Sequence, residues 1–271
     1  MQAAAARGLS AIALTDHDTI DGLEEARIEA EGLGVRFIPG VELDISWDRP
    51  AEAGSGASVS VIAGEFHLLG LGIRRPSPLF IETIAERFQR REARNHEILD
   101  RIRELLNIEV DYDEMKAIAG GGSMGRLHFA ELLVQRRIVK NREQAFSRYL
   151  AKGKPLYASK EGLEFQRAVA IIKESGGIPV LAHPMSLYVA WGRLPALIMT
   201  LKEQGLEGIE AWHPTAKLRA CKRLEELGTF LGLHITAGSD FHGAARPDRK
   251  LGITAGDRKI DDAVLEAIPG L

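Results

Sequence analysis

The sequence predicts an α/β fold with a largely parallel sheet that a helical insertion interrupts. Short apolar runs alternate with amphipathic stretches over residues 9–75, and this alternation resumes after residue 157. Between these parts the pattern is helical throughout. Several of the apolar runs also end in a short polar segment that contains a histidine.

The N-terminal part predicts three strands and one helix. The apolar run AIALT at residues 11–15 predicts a strand, and LEEARIEAEGLG predicts the helix that follows it. VRFIPGVELDI and HLLGLGI predict two further strands, whereas residues 48–64 are rich in Gly, Ser and Ala and predict a loop or hairpin. The polar segment TDHDT has two interpretations: Asp18 or Asp21 caps the helix, or the segment supplies ligands at a strand end.

The middle part, residues 76–157, predicts an inserted helical subdomain that binds substrate. Phe80, Ile84 and Phe88 follow a helical spacing, and LHFAELLVQRRI and EQAFSRYLAKG predict two shorter helices. Residues 81–160 hold 16 Lys and Arg against 12 Asp and Glu, although the whole chain has a net charge of −3. This basic segment suits an anionic substrate, or it is simply the solvated face of a helical insertion.

The C-terminal part, residues 158–271, predicts three helix–strand pairs. FQRAVAIIKESGG leads into IPVLAHP, LIMTLKEQG into LEGIEAWHP, and RLEELGTFLG into LHITAGSDFHG. Together with residues 1–75 these pairs are predicted to form one α/β domain. Each strand ends in a polar segment with a histidine, and this recurrence is the most informative feature of the sequence.

The composition of the 271 residues excludes several classes of protein. With 45% hydrophobic and 27% charged residues, the chain has the composition of a globular protein, and no apolar run is long enough to span a bilayer. A single cysteine, Cys221, excludes an internal disulfide and a cysteine-rich zinc site. We see no secretory signal, and we expect a cytoplasmic protein without a membrane or a stable protein partner.

The histidines at strand ends predict a metal site. Residues beyond the carboxyl ends of parallel strands converge on one face, where active sites form. Imidazole and carboxylate together suit Zn, Mn or Fe, and paired ions suit the hydrolysis of phosphoesters or amides. His96 and His234 lie inside helical and strand patterns, and we predict that they are not ligands. The strand-end candidates are His17, His67, His183, His213 and His242, with the carboxylates Glu42 and Asp240.

A Gly-rich segment in the insertion predicts phosphate binding. GGGSMGRLHFAELL places Arg126 and His128 at the start of a helix, where backbone N–H groups and a guanidinium favour a phosphate. Lys154 adds a further cation where the insertion ends. By itself, the glycine run is equally typical of a flexible loop.

Taken in order, TDHDT, GVE, HLLG, GRLH, GKP, LAHP, GIEAWHP and GSDFHG resemble the PHP (polymerase and histidinol phosphatase) metal-dependent phosphoesterases. The resemblance is to the branch of nucleoside 3′,5′-bisphosphate phosphatases and 5′→3′ ribonucleases. It implies a distorted (β/α)7 PHP-type barrel with two or three divalent ions, manganese first and zinc, iron or magnesium as alternatives. The implied metal ligands are His17, Glu42, His67, His183, Asp240 and His242.

The resemblance also assigns roles around the metals. Glu42 is the carboxylate that bridges the ions. In the mechanism that we expect, Glu42 and Asp240 are the catalytic residues, and Asp240 helps to move protons. Asp16 and Asp18 orient the ligands. The substrate-binding residues are Arg126, His128, Lys154 and His213, with Leu127 in place of the usual proline of the family's phosphate-binding segment.

One departure from the family pattern concerns the first strand. The family begins with a His-x-His strand and a Ser-Asp-Gly loop, whereas this chain begins at MQAAAARGLS. We therefore expect a truncated or late start, a barrel without its first strand, three missing ligands, and one or two bound ions. The corresponding expectation is that this chain is weak or inactive and that its longer form is active.

The predicted activity is hydrolysis, by a metal-bound hydroxide, of a phosphate ester in a small nucleotide, such as a 3′,5′-bisphosphonucleotide, or at the 5′ end of short RNA. Two alternatives remain. One is a phosphatase of the histidinol-phosphate type, which the GRLH insertion disfavours. The other is an inactive module that binds metal or nucleotide.

Overall fold

The structure, a computed structural model, describes residues 1–47, 62–120, 123–243 and 246–271. It divides into two compact units, one formed by residues 1–81 with 162–271 and the other by residues 82–161. The loop or hairpin predicted at residues 48–64 lies almost wholly outside the described residues, as do two glycines of the Gly-rich segment. In the described ranges, no helix is both long and apolar enough to cross a membrane.

The first unit is built on a mixed sheet of seven strands. Its order is β1-β2-β3-β5-β6-β7, and β4 pairs with the far end of β2. The outcome confirms the predicted α/β fold, with a half-barrel sheet. The strands are β1 Ala11–Leu14, β2 Arg36–Ser46, β3 His67–Leu71, β4 Leu163–Glu164, β5 Ile178–Leu181, β6 Gly208–Trp212 and β7 His234–Ala237, and a separate hairpin is formed by β8 Ile253–Thr254 and β9 Arg258–Lys259.

One strand runs against the predicted parallel pattern. β3 pairs antiparallel with β2 and with β5, whereas the β1–β2, β2–β4, β5–β6 and β6–β7 pairs are parallel. A parallel pair needs a crossover connection, usually a helix, and the described residues between β2 and β3 contain no helix. As a result, β3 begins at the edge of the sheet where β1 and β5 end, and His67 is its first residue.

The helices follow the predicted amphipathic stretches. The capping of α2 by Asp18 or Asp21 is wrong, because the N-cap residue is Gly22, and the described part of the chain shows no side-chain cap hydrogen bond there. Asp18 instead accepts a hydrogen bond from the backbone N–H of Asp44 at 3.5 Å. The helices are α1 Gln2–Ala6, α2 Leu23–Leu33, α3 Pro78–Leu106, α4 Tyr112–Ala119, α5 Arg126–Gln135, α6 Arg142–Ala145, α7 Phe165–Glu174, α8 Leu194–Glu203, α9 Leu218–Phe230 and α10 Ala263–Glu266.

The second unit, residues 82–161, has its own apolar core. Most residues of this core come from α3, α4, α5 and the turn of π-helix at Phe146–Leu150 that continues α6, and the connecting segments add others. Because each of these helices buries one stripe, packing them together removes the stripes from water. The fully buried side chains include Ile98, Ile102, Met115, Phe129, Leu132, Leu133, Leu150 and Leu156.

The segment TDHDT extends the pairing of β1 with β2. The backbone N–H of Glu42 donates to the carbonyl of Asp16 at 3.1 Å, and the N–H of Asp18 donates to the carbonyl of Glu42 at 2.9 Å. Gly40 permits this approach, because a methyl group on its Cα would lie 2.7 Å from Thr15 Cγ2 and 2.8 Å from the carbonyl oxygen of Gly70. The pairing places His17 directly beside Glu42.

Candidate metal centre

Glu42 on β2 lies among three histidines at one edge of the sheet. Its Oε1 atom is 2.7 Å from His67 Nδ1 and 2.9 Å from His183 Nε2, and these two ring nitrogens are 3.2 Å apart. Its Oε2 atom is 3.6 Å from His17 Nε2. Strands β1, β2, β3 and β5 each bring one of these four residues to the same place.

A second carboxylate, Asp44, faces two of these histidines from their other side. Its Oδ1 atom is 3.1 Å from His67 Nε2 and 3.7 Å from His17 Nδ1. Asp44 lies two residues after Glu42 on β2, and residues at that spacing share one face of a strand. The imidazole of His67 therefore lies between two buried carboxylates.

Asp240, after β7, forms a neighbouring group with His213 and His242. Its Oδ2 atom is 3.4 Å from His213 Nε2, and its Oδ1 atom is 3.4 Å from His242 Nδ1. The His213 ring is also 5.2 Å, between centroids, from the His183 ring. The two groups are thus continuous through His183 and His213. Buried Arg249 lies 3.7 Å from Asp240 Oδ2.

Charge attraction outweighs burial at the centre of the cluster. Burial raises the pKa of Glu42, but the charges of His17 and His67 hold that pKa well below its ordinary value. Burial lowers the pKa of His67, whereas the two carboxylates beside it raise that pKa to about 10. Glu42 is therefore ionised at neutral pH, and the region favours positive charge.

The flanking carboxylates have different surroundings. Burial raises the pKa of Asp16 and that of Glu210 on β6. Burial also acts to raise the pKa of Asp240, but its hydrogen bond with His213 and the charge of His242 lower it overall. Of these three flanking carboxylates, Asp240 is therefore the one that stays ionised to the lowest pH.

The predicted phosphate-binding residues lie in the second unit. Arg126 opens α5, and its guanidinium lies 5.9 Å from the ring centroids of both Phe146 and Tyr157. The Nδ1 atom of His128 accepts a hydrogen bond from the backbone N–H of Gly125 at 3.0 Å. Lys154 lies in a turn, where its backbone N–H donates a hydrogen bond to the carbonyl of Ala151. Their role toward a substrate stays a prediction.

Sequence reasoning missed Asp44, Glu210 and Arg249. The spacing of two residues from Glu42 could have identified Asp44. A lone glutamate inside the apolar run GIEAW was a usable signal for Glu210, because buried carboxylates need specific partners. No comparable pattern singles out Arg249, which lies in the segment between β7 and β8.

The donors at Glu42 fit a divalent cation. Two donors at about 2.1 Å from one ion and at right angles are about 3.0 Å apart. The three distances among Glu42 Oε1, His67 Nδ1 and His183 Nε2 lie close to this value. A second group of possible donors is formed by His17, Asp44 and His67. Mixed imidazole and carboxylate donors suit zinc, manganese and iron.

The chain is similar in sequence to two named enzymes. The chain is 33% identical over 237 residues to a 5′-3′ exoribonuclease of Haemophilus influenzae, covering 88% of this chain and 81% of the relative. It is 31% identical over 252 residues to a 3′,5′-nucleoside bisphosphate phosphatase of Chromobacterium violaceum, covering 93% and 83%.

Among solved structures, the chain resembles an amidohydrolase from Chromobacterium violaceum with bound sulfate and no metal. The TM-score is 0.79 at 28% identity, over 98% of this chain and 89% of the other. Residues 1–168 also match the PHP domain family, which is more than half of the chain. The resemblance predicted from the sequence is confirmed: this chain belongs to the PHP domain family.

Proposed function

We propose that this chain is a metal-dependent phosphoesterase that hydrolyses a phosphate ester of a small nucleotide or of the 5′ end of short RNA. The observation that carries the proposal is the ionised Glu42 carboxylate, which lies within 2.9 Å of two imidazoles and 3.6 Å from a third. A buried carboxylate surrounded by imidazoles is a cation site, because a divalent ion can displace the imidazole protons and bind the neutral rings.

The proposed ligands come from both groups at the sheet edge. Bound divalent ions would supply Lewis acidity toward a phosphate oxygen and lower the pKa of water. Manganese is the first ion to test, followed by zinc, iron and magnesium. The ligands are His17, Glu42, His67, His183, Asp240 and His242.

Asp240 acts on protons near this site, and His213, a proposed substrate-binding residue, orients it. The lowered pKa of Asp240 keeps it ionised, so that it can accept a proton rather than donate one. His213 is buried, and its Nδ1 bonds to the hydroxyl of Thr215 at 2.7 Å, which directs Nε2 toward Asp240. His213, which is itself held by Thr215, thereby orients the carboxylate of Asp240.

Arg126, His128 and Lys154 are proposed to bind the phosphate of the substrate. The guanidinium of Arg126 lies over two aromatic rings, and this placement fixes the direction in which its N–H groups can donate. The N-terminal end of α5 adds backbone N–H groups, which favour an anion. The sulfate in the related amidohydrolase structure shows that an oxyanion binds to that protein.

The two relatives act on different substrates, an RNA and a nucleoside bisphosphate, and both reactions break a phosphate ester. The experiment is therefore a comparison of three substrates with Mn²⁺ present: adenosine 3′,5′-bisphosphate, a 5′-phosphorylated oligonucleotide and histidinol phosphate. We expect release of phosphate or of a nucleotide from one of the first two substrates. Release of phosphate from histidinol phosphate alone would instead identify a phosphatase of the histidinol-phosphate type.

Two variants control this assay. His183→Ala removes a proposed ligand and should abolish turnover and reduce bound metal. His234→Ala changes a histidine at the start of β7, outside both donor groups, and should leave both unchanged. No turnover of any of the three substrates by this chain or by its longer form, with Mn²⁺ bound, would refute the enzyme and favour a binding module.

A further inference from the structure

Glu210 on β6 is a buried carboxylate to which the proposed reaction assigns no role. It lies in the apolar run GIEAW and is 6% exposed. Its Oε2 atom accepts a hydrogen bond of 2.8 Å from the backbone N–H of His183. A carboxylate in this position needs such a partner, because burial without one is costly.

The hydrogen bond to Glu210 holds His183 in a backbone conformation that residues other than glycine rarely adopt. His183 has φ 28° and ψ 65°, in the region that ordinarily favours glycine. On the other side of the residue, His183 Nδ1 bonds to the hydroxyl of Ser186 at 2.7 Å. With its backbone held by Glu210 and its ring held by Ser186, His183 presents Nε2 to Glu42.

The other oxygen of Glu210 faces a second loop. A methyl group on the Cα of Gly238 would lie 2.0 Å from Glu210 Oε1, so the loop after β7 passes directly against this carboxylate. The N–H of Gly238 donates to the carbonyl of Trp212 at 2.9 Å, which keeps the loop beside β6. Asp240 and His242 follow in the same loop.

We propose that Glu210 is a positioning residue that sets the distance between the His183 loop and the loop carrying Asp240 and His242. This role rests on the proposed function, since both loops carry proposed metal ligands. Both oxygens of Glu210 already face protein groups, one the His183 amide and the other Gly238. It therefore acts through the ligands rather than as one of them.

Substitutions of Glu210 test the hydrogen bond. Glu210→Leu keeps a similar volume without an acceptor, whereas Glu210→Gln keeps one acceptor oxygen. In calorimetric titration with Mn²⁺ we expect Leu to weaken binding by about 10- to 100-fold, and Gln to stay within a few-fold of the wild type. Exchange of the His183 amide proton in metal-free protein should be faster in the Leu variant and close to wild type in the Gln variant.

A substitution in the opposite loop tests the contact independently of Glu210. Gly238→Ala should also weaken Mn²⁺ binding, because its new methyl group collides with Glu210 Oε1. Combining it with Glu210→Ala should give a loss smaller than the sum of the two single losses, since the smaller side chain makes room. Two matched controls should bind Mn²⁺ as the wild type does. Glu207→Leu, just before β6, controls for Glu210→Leu. Gly192→Ala, whose new methyl group would meet open space, controls for Gly238→Ala.

Wild-type affinity and amide exchange in Glu210→Leu would overturn the proposal, as would equal losses in the Leu and Gln variants or fully additive losses with Gly238→Ala. Faster exchange without a change in Mn²⁺ affinity would overturn it too, because the bond would then not position a ligand. Turnover plays no part in these measurements. A wild-type protein that binds Mn²⁺ without hydrolysing any substrate therefore refutes the proposed reaction alone.

Discussion

His67 lies between two carboxylates, and its two ring nitrogens face different ones. Nδ1 faces Glu42 at 2.7 Å and Nε2 faces Asp44 at 3.1 Å. A metal-bound imidazole commonly directs its second nitrogen toward a carboxylate, which fixes the tautomer and the ring orientation. Asp44 is placed to do this for His67 once Nδ1 holds an ion.

Asp44→Asn should weaken Mn²⁺ binding by about 10- to 100-fold while the fold is retained, because the amide keeps the shape but attracts the imidazole N–H less strongly. Calorimetric titration measures the affinity, and circular dichroism checks the fold. Asp21→Asn changes an exposed aspartate in the segment between β1 and α2 and should have no effect on Mn²⁺ affinity. Unchanged affinity in Asp44→Asn would refute this role for Asp44.

Residue patterns predicted much of the site. Their positions relative to the predicted strands identified His17, Glu42, His67 and His183 as candidates. The structure brings them together because β1 and β5 end, and the antiparallel strand β3 begins, at the same edge beside β2. Asp44 and Glu210 were missed, since each carboxylate gains its importance from contacts across strands rather than from neighbours in the chain. The assigned roles of all these residues stay predictions.

At the scale of elements, α7 packs against β5, the strand that ends two residues before His183. Its cap is Glu164, whose two carboxylate oxygens accept hydrogen bonds from the backbone N–H groups of Gln166 at 2.9 Å and Arg167 at 2.8 Å. These bonds satisfy donors that the first helical turn leaves open.

Glu164→Ala should lower the free energy of unfolding by about 1 kcal/mol, because both bonds at the helix start are lost. Chemical denaturation followed by circular dichroism measures the change. Gln166→Ala alters an exposed side chain of the same turn and keeps its backbone N–H, so it should change stability much less. Equal effects of the two substitutions would show that the cap contributes nothing.

The core of the second unit gives a stronger test of packing. Leu132 is fully buried on α5, and Leu132→Ala should destabilise the protein by about 2–5 kcal/mol through lost burial and the cavity left behind. Leu105→Ala, at a side chain that is 56% exposed, should cost far less. The proposed metal ligands all lie in the first unit, so a folded Leu132→Ala protein should keep its Mn²⁺ affinity.

The amphipathic patterns predicted the helices well, because burial of one stripe fixes both the period and the length. Strand direction was harder. HLLGL was predicted within a parallel pattern and lies antiparallel, since direction depends on the connection and not on the run of apolar residues. The capping interpretation of Asp18 failed for a similar reason, because that carboxylate bonds to β2 across the sheet.

At the scale of the whole molecule, the two units carry different parts of the predicted chemistry. The metal-ligand candidates belong to residues 1–81 and 162–271, and the candidates for phosphate binding, apart from His213, belong to residues 82–161. A metal ion that binds only the folded protein stabilises it by about 2.7 kcal/mol when present at 100 times its dissociation constant. Metal binding at the strand ends is therefore measurable independently of any substrate.

The most direct test of the central claim is a calorimetric titration of chelator-treated protein with Mn²⁺, comparing the wild type with Glu42→Gln. The wild type should bind at least one ion per chain, and Glu42→Gln should lose that binding, because the substitution removes the charge at the centre of the cluster. His234→Ala should bind as the wild type does. Equal Mn²⁺ binding by the wild type and Glu42→Gln, or no binding by the wild type, would contradict a metal centre at Glu42.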